Sequence, residues 1–311
     1  FSHTLNDFIN LPGSMPEKLK GDEVTAKTQW TGSLYDSSYY YNPYMEKYRK
    51  EGNIKFPFFL TPDKHYVGAA WYQKEVNIPA DWKGERILLF LERPHIETTV
   101  WVNGQKTGMQ NSLCVPHQYD ITRYVRPGKC TITIRVDNRI KEINVGPDSH
   151  SITDQTQGNW NGNVGRICLQ TTPKTYFDDI QIYPEPEQKL ARVKVVIKGT
   201  GTAKVKLSAE SFNTDKKHIV PAIQQEIKLN KGVTETEMVL PMGNDMLLWD
   251  EFHPALYKLK AEVTNGKKTE IKEIQFGMRR FEIKGKWFYV NGRKTQLRGT
   301  VENCDFPLTG Y

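Results

Sequence analysis

The stretch FGMRRFEIKGKWFYVNGRKTQLRGTVENCDFPLTGY, Phe276 to Tyr311, decides how the rest of the chain is read. Two apolar runs, Trp287-Phe288-Tyr289-Val290 and Thr295-Gln296-Leu297, flank Asn291-Gly292. Asn and Gly both accept positive φ, so the pair predicts a tight type I′ turn and a β-hairpin. Leu297-Arg298-Gly299 follows, then a polar and aromatic tail with Pro307 and Gly310. A strand that ends in Arg-Gly and runs into such a loop has the form of a first barrel strand, whose C-terminal rim feeds a site. Trp287, Phe288 and Tyr289 are expected to be partly exposed or covered by another copy of the chain, which makes the hairpin a candidate homo-oligomer surface.

Working outward, 311 residues suffice for about two domains, each burying its own core. No apolar run approaches the length of a membrane span, so no membrane partner is expected. The net charge of +7 is scattered rather than gathered into a basic arm. It therefore reads as a solvated surface and not as a nucleic-acid interface. Cys114, Cys130, Cys168 and Cys304 show no CxxC spacing, and none of the 7 histidines pairs with another at metal spacing. Neither a metal nor a cofactor is expected.

Residues 1–175 read as a first β-sandwich. Phe8-Ile9-Asn10-Leu11-Pro12-Gly13 suggests a short edge segment and a turn. The aromatic segment between Trp30 and Tyr66 reads as a long loop covering a sheet rather than as a sugar platform. Ala70 to Val76 alternates, Ile87 to Leu91 is a buried run, and Thr98 to Val102 leads into the turn Asn103-Gly104. Thr131 to Asp137 alternates again, with Ile132, Ile134 and Val136 on one face, while Tyr119-Asp120-Ile121-Thr122 and Pro127-Gly128 punctuate. Short strands with turns at this spacing predict an antiparallel sandwich.

Residues 176–278 read as a second sandwich. Seven segments alternate apolar residues with Lys or Glu: Phe177 to Tyr183, Val193 to Ile197, Ala203 to Leu207, Glu226 to Leu229, Glu237 to Leu240, Tyr257 to Val263 and Lys268 to Ile274. That count and pattern fit an immunoglobulin-like fold with one face of each sheet in water. In Leu248-Trp249-Asp250-Glu251-Phe252-His253-Pro254-Ala255-Leu256-Tyr257, Trp249 and Leu256 read as packing residues and His253 as a surface histidine. The fold class is thus all-β, two sandwiches followed by a hairpin over 279–311.

Several of these segments, in this order, resemble the N-terminal region of family 2 glycoside hydrolases. Trp71-Tyr72-Gln73, Val102-Asn103-Gly104, Tyr119-Asp120-Ile121-Thr122, Val136-Asp137-Asn138-Arg139 and Trp160-Asn161-Gly162-Asn163-Val164-Gly165-Arg166 resemble that family's jelly-roll sugar-binding domain. Phe276-Gly277-Met278-Arg279, the Val-Asn-Gly hairpin and Leu297-Arg298-Gly299 resemble its junction between the immunoglobulin-like domain and the catalytic (β/α)8 barrel. The resemblance implies a carbohydrate partner, a terminal β-linked sugar with galactoside ahead of glucuronide and mannoside, and an extracytoplasmic home for a chain trimmed at its start. It also implies substrate contacts at Asp154, Trp160, Asn161, Arg298 and Asn303, with the barrel present. Where the family often reads Arg-Gly-x-Asn-x-His, this chain has Asn303 in the place of the His.

No catalytic residue is expected in these 311 residues. Retaining glycoside hydrolysis needs two carboxyl groups about 5–5.5 Å apart on a rigid frame. The family carries its acid/base in an Asn-Glu dipeptide within the barrel, and this sequence contains no Asn-Glu. The parent is therefore expected to be a retaining exo-β-glycosidase, β-galactosidase-like, of which this part is inactive. The alternative is a free-standing two-domain carbohydrate-binding or adhesion protein, for which a hairpin and an Arg-Gly strand leading onward have no use.

Overall fold

The computed structural model describes residues 5–30, 37–52, 54–55, 63–112, 115–141 and 159–300. The chain divides into two compact units, the first running to Thr171 and the second spanning Thr172–Thr300.

The first unit holds β1 (Gly13–Ser14), β2 (Asp22–Glu23), β3 (Lys64–His65), β4 (Ala69–Ile78), β5 (Arg86–His95), β6 (Glu97–Val102), β7 (Gln105–Asn111), β8 (His117–Asp120), β9 (Gly128–Asp137) and β10 (Gly162–Thr172). One four-stranded sheet has the order β1-β10-β5-β8 and the other β4-β9-β6-β7, the layers of the jelly-roll sandwich. Alternation sends Ile87, Leu89 and Leu91 of β5 into one core with Val100, Val102, Ile132 and Ile78. The turn at Asn103-Gly104 has φ of 49° and 81°, the type I′ geometry that its sequence predicts. Tyr119-Asp120 closes a strand rather than breaking one. Tyr119 is buried, and its hydroxyl donates to the Thr98 carbonyl at 3.0 Å. The aromatic segment builds a small core of its own, in which Trp30 and Tyr39 pack with Tyr40, Met45 and Tyr48.

The second unit contains β11 (Tyr176–Glu185), β12 (Leu190–Ser211), β13 (Ile219–Pro241), β14 (Tyr257–Asn265), β15 (Lys268–Phe276), β16 (Phe281–Lys284), β17 (Trp287–Val290) and β18 (Arg293–Thr295). Four of the seven segments expected from the sequence merge here. β12 and β13 form one long antiparallel ribbon whose register slips between Gly199 and Gly201. Before the slip β12 pairs β11, and after it β12 pairs β14, which pairs β15. Both halves face a single core of Val193, Val195, Val205, Leu207, Leu240 and Leu259. At the edge, the Phe177 N–H donates to Glu270 Oε2 at 2.6 Å, and Lys272 Nζ donates to the Phe177 carbonyl at 2.5 Å. Two β15 side chains thus satisfy backbone groups left open where β11 bulges.

β16, β17 and β18 form a separate three-stranded sheet. Asn291 and Gly292 have φ of 50° and 78°, again type I′. On this sheet Trp287 is 37% exposed and Phe288 and Tyr289 are half-buried, whereas Val290 is buried.

Candidate functional sites in the two units

In the first unit, Trp160 and Asn161, two of the residues expected to touch substrate, lie at a web of asparagines where β9 ends and β10 begins. Asn138 follows β9, and its amide donates to the Tyr66 carbonyl at 2.7 Å and to Asn159 Oδ1 at 3.1 Å. Asn159 Nδ2 donates back to the Asn138 carbonyl at 3.0 Å. Asn161 is fully buried; its Nδ2 donates to the carbonyls of Gly68 at 2.9 Å and Val136 at 3.0 Å. Its own carbonyl accepts from the Met15 N–H at 2.7 Å, tying the edge strand in.

Trp160 lies flat on His95, with ring centroids 4.4 Å apart and planes 17° from parallel. Burial pushes the His95 imidazole down to about 3, against a hydrogen bond with Asn159, so the ring is neutral at physiological pH. Trp160 and Asn161 therefore serve the frame: the indole faces His95 and the amide closes two strand-end carbonyls. A polar, Gly-containing loop is legible in the sequence as a set of donors and acceptors, but His95 and Asn138 carry no local sign that they complete it.

A charge cluster stands on the same strand end. Asp137 is fully buried, and burial alone would raise its pKa. Arg139 Nη2 at 2.6 Å and Lys141 Nζ at 2.9 Å more than offset that and hold the carboxyl well below the usual carboxylate range. Glu97 joins through Arg135 and through Lys141 at 3.2 Å. The cluster and the asparagine web thus bracket residues 142–158 in the sequence. Asp154 falls in that span, and it and Asn303 lie outside the described residues.

In the second unit, Arg298 lines a groove of about 890 Å³ with Trp249, Phe252, Arg279, Arg293 and Lys294 among others. The hairpin is locked beside it by Asn291, which does more than turn the chain. Asn291 Nδ2 donates to the Trp249 carbonyl at 2.9 Å, and Asn291 Oδ1 accepts from the Arg280 N–H at 2.8 Å. Trp249 sits over Gly277, where an added Cβ would come within 2.9 Å of the Trp249 side chain. Its ring carries the Arg279 guanidinium at 4.4 Å, and Phe252 carries that of Arg293 at 4.7 Å. Asp250 Oδ1 accepts from the Phe252 and His253 N–H groups at 2.8 Å each and so shapes the loop; His253 itself is exposed.

Among the described residues, no group of three or more His, Cys, Asp or Glu is arranged to hold a metal. Glu251 is the one acid lining the groove among the described residues, and Arg293 binds it at 2.6 Å.

Family models match in the order of the two units. "Glycosyl hydrolases family 2, sugar binding domain" covers residues 20–173, and "Glycosyl hydrolases family 2" covers residues 175–279. A beta-galactosidase of Thermoanaerobacter pseudethanolicus is 24% identical over 83% of this chain and 35% of its own length. The human beta-glucuronidase is 25% identical over 79% of this chain and 41% of its own length. Among solved structures, a family 2 member from Bacteroides cellulosilyticus covers 94% of this chain and 35% of its own, at 20% identity and a TM-score of 0.65. The Bacteroides uniformis beta-glucuronidase 2, covalently bound to a cyclophellitol-6-carboxylate aziridine, covers 75% and 29%, at 19% identity and a TM-score of 0.62. The chain thus spans about a third to two fifths of the length of the curated relatives named here.

Proposed function

The chain belongs to glycosyl hydrolase family 2, and from that premise we propose that it is the non-catalytic N-terminal scaffold of a retaining exo-β-glycosidase. The parent enzyme hydrolyses terminal β-linked sugars, β-galactosides or β-glucuronides, the activities named among its relatives. The observation that carries this reading is the succession of a sugar-binding-type sandwich, a second family 2 sandwich and a hairpin locked to the second by Asn291. The hairpin's strands lead into Leu297-Arg298-Gly299, where a barrel would start.

In such an enzyme, one barrel carboxyl attacks the anomeric carbon and the other protonates the leaving oxygen. The covalent adduct of the Bacteroides uniformis relative is in line with a nucleophilic route in that protein. The residues of this chain act around that chemistry. The Asp137 cluster and the Asn138-Asn159-Asn161 web anchor the two ends of the 142–158 segment, which lends Asp154 to the pocket. Trp160 and Asn161 are positioning residues for that segment, and Arg298 and Asn303 stand on the barrel's side.

The test is turnover. The purified 311-residue chain is expected to leave chromogenic β-galactosides and β-glucuronides intact, while the longer parent polypeptide cleaves at least one of them. Turnover that stays with the short chain through purification refutes the reading, as does a parent with no glycosidase activity.

A further inference from the structure

Resting on the reading above, we infer that the groove beside the hairpin is the seat for a carboxylate-bearing face of the domain that follows in the parent enzyme. Two of its guanidinium groups, those of Arg279 and Arg293, are stacked on aromatic rings before that face arrives.

Among the described residues, the cations Arg279, Arg293, Lys294 and Arg298 line the groove against one acid, Glu251. Arg293 uses its charge on Glu251 at 2.6 Å. Arg279, Lys294 and Arg298 have no carboxylate in ion-pair range among the described residues. Arg279 lies over Trp249 at 4.4 Å and Lys294 over Trp287 at 3.1 Å, so their charges are held in place by rings rather than by acids. A guanidinium fixed on a ring still presents its N–H edge, the geometry that takes a carboxylate in a two-pronged bond.

The rim is apolar: Phe252 is 67% exposed, Leu297 63% and Phe281 49%. Trp, Phe and Arg around a recess, ringed by exposed apolar side chains, is the composition of a protein–protein interface. A sugar is the poorer fit. Stacking on a pyranose needs a free aromatic face, yet Trp249 has Arg279 on its ring and Gly277 backed against its side chain. The partner that fits is therefore a polypeptide face with carboxylates beside an apolar ridge.

Hydrogen–deuterium exchange on peptides covering Trp287 to Leu297 tests this in the parent enzyme. The wild-type parent is expected to slow exchange there at least about tenfold relative to the 311-residue chain. Arg279→Glu with Lys294→Glu and Arg298→Glu is expected to remove that protection, and high salt to weaken it in the wild type. Lys228→Glu with Lys231→Glu and Lys267→Glu, charge reversals at exposed sites outside the groove, is expected to keep it. Should the triple variant fail to fold, the pair at the exposed Lys294 and Arg298 reads the same effect. Protection unchanged by either groove variant, or indifferent to salt in the wild type, when the wild-type parent is active, overturns this inference and leaves the functional reading standing. Dimerisation of the short chain that groove reversal abolishes overturns it too, by assigning the groove to a second copy. A parent without glycosidase activity fails the functional reading instead.

Discussion

Asn161 makes the sharpest test of the first unit. Its Nδ2 donates to the carbonyls of Gly68 and Val136 at 2.9 and 3.0 Å, and its Oδ1 accepts from the Tyr72 hydroxyl at 3.4 Å. Asn161→Ala takes one donor from the buried Val136 carbonyl and one from the part-buried Gly68 carbonyl, and opens a small void. Each lost bond costs about 1–2 kcal/mol, so the variant should be about 3 kcal/mol less stable. For a unit of this size that is a fall of about 6–12 °C in its calorimetric transition. Asn161→Asp sharpens the argument because it keeps the shape and reverses one polarity. A carboxylate oxygen would then face two carbonyl oxygens in a dry site, which raises the folded-state pKa above the unfolded value of about 3.9. The sign follows: the Asp variant is most stable at low pH and loses stability as pH rises through the raised folded value. An Ala variant within about 1 kcal/mol of wild type, or an Asp variant whose stability does not fall across that window, would refute the structural role given to Asn161.

Asp137 gives the opposite pH sign. Its pKa is held low by Arg139 and Lys141, so its contribution is present above the unfolded value of about 3.9 and is lost as pH falls through the depressed folded value. Asp137→Asn should cost about 1–3 kcal/mol at neutral pH and flatten the acid limb of a urea-unfolding series, because the buried position no longer offers a charged acceptor to the partly exposed Arg139 and Lys141. In the second unit, Gly277→Ala drives a Cβ into the Trp249 side chain at 2.9–3.1 Å. About 1–3 kcal/mol of destabilisation is expected, with faster amide exchange across Leu248 to His253; unchanged exchange there would show that the loop gives way freely.

The sequence made the turns and the sandwich class legible, and it did so for a local reason. Asn103-Gly104 and Asn291-Gly292 carry two residues that tolerate positive φ at the two central positions, and both turn as type I′. Asn265-Gly266 shows the limit of that signal. Asn265 pairs with Lys268, so Gly266 and Lys267 make the loop, and of the two Gly266 alone has positive φ. Alternation likewise located the strands of the second unit, but the segments Glu226 to Leu229 and Glu237 to Leu240, separate in the sequence pattern, belong to one continuous strand, β13.

The site was less legible because its decisive facts are long-range. Asn161 as a residue type offers hydrogen bonds to anything. Only the fold brings it to Gly68, 93 positions away, whose carbonyl also accepts the Asn138 N–H at 3.5 Å. Trp160 offers a ring face in the sequence, and the fold gives that face to His95. The same holds for Asn291, whose turn-forming role is local while its bond to the Trp249 carbonyl spans 42 positions. Trp249 itself is fixed by Gly277, a residue whose importance lies in what it lacks. In both units an asparagine side chain, Asn161 in the first and Asn291 in the second, closes backbone groups of the frame. Arg279, Lys294 and Arg298, the cations proposed to meet a partner, are those with no carboxylate in ion-pair range among the described residues.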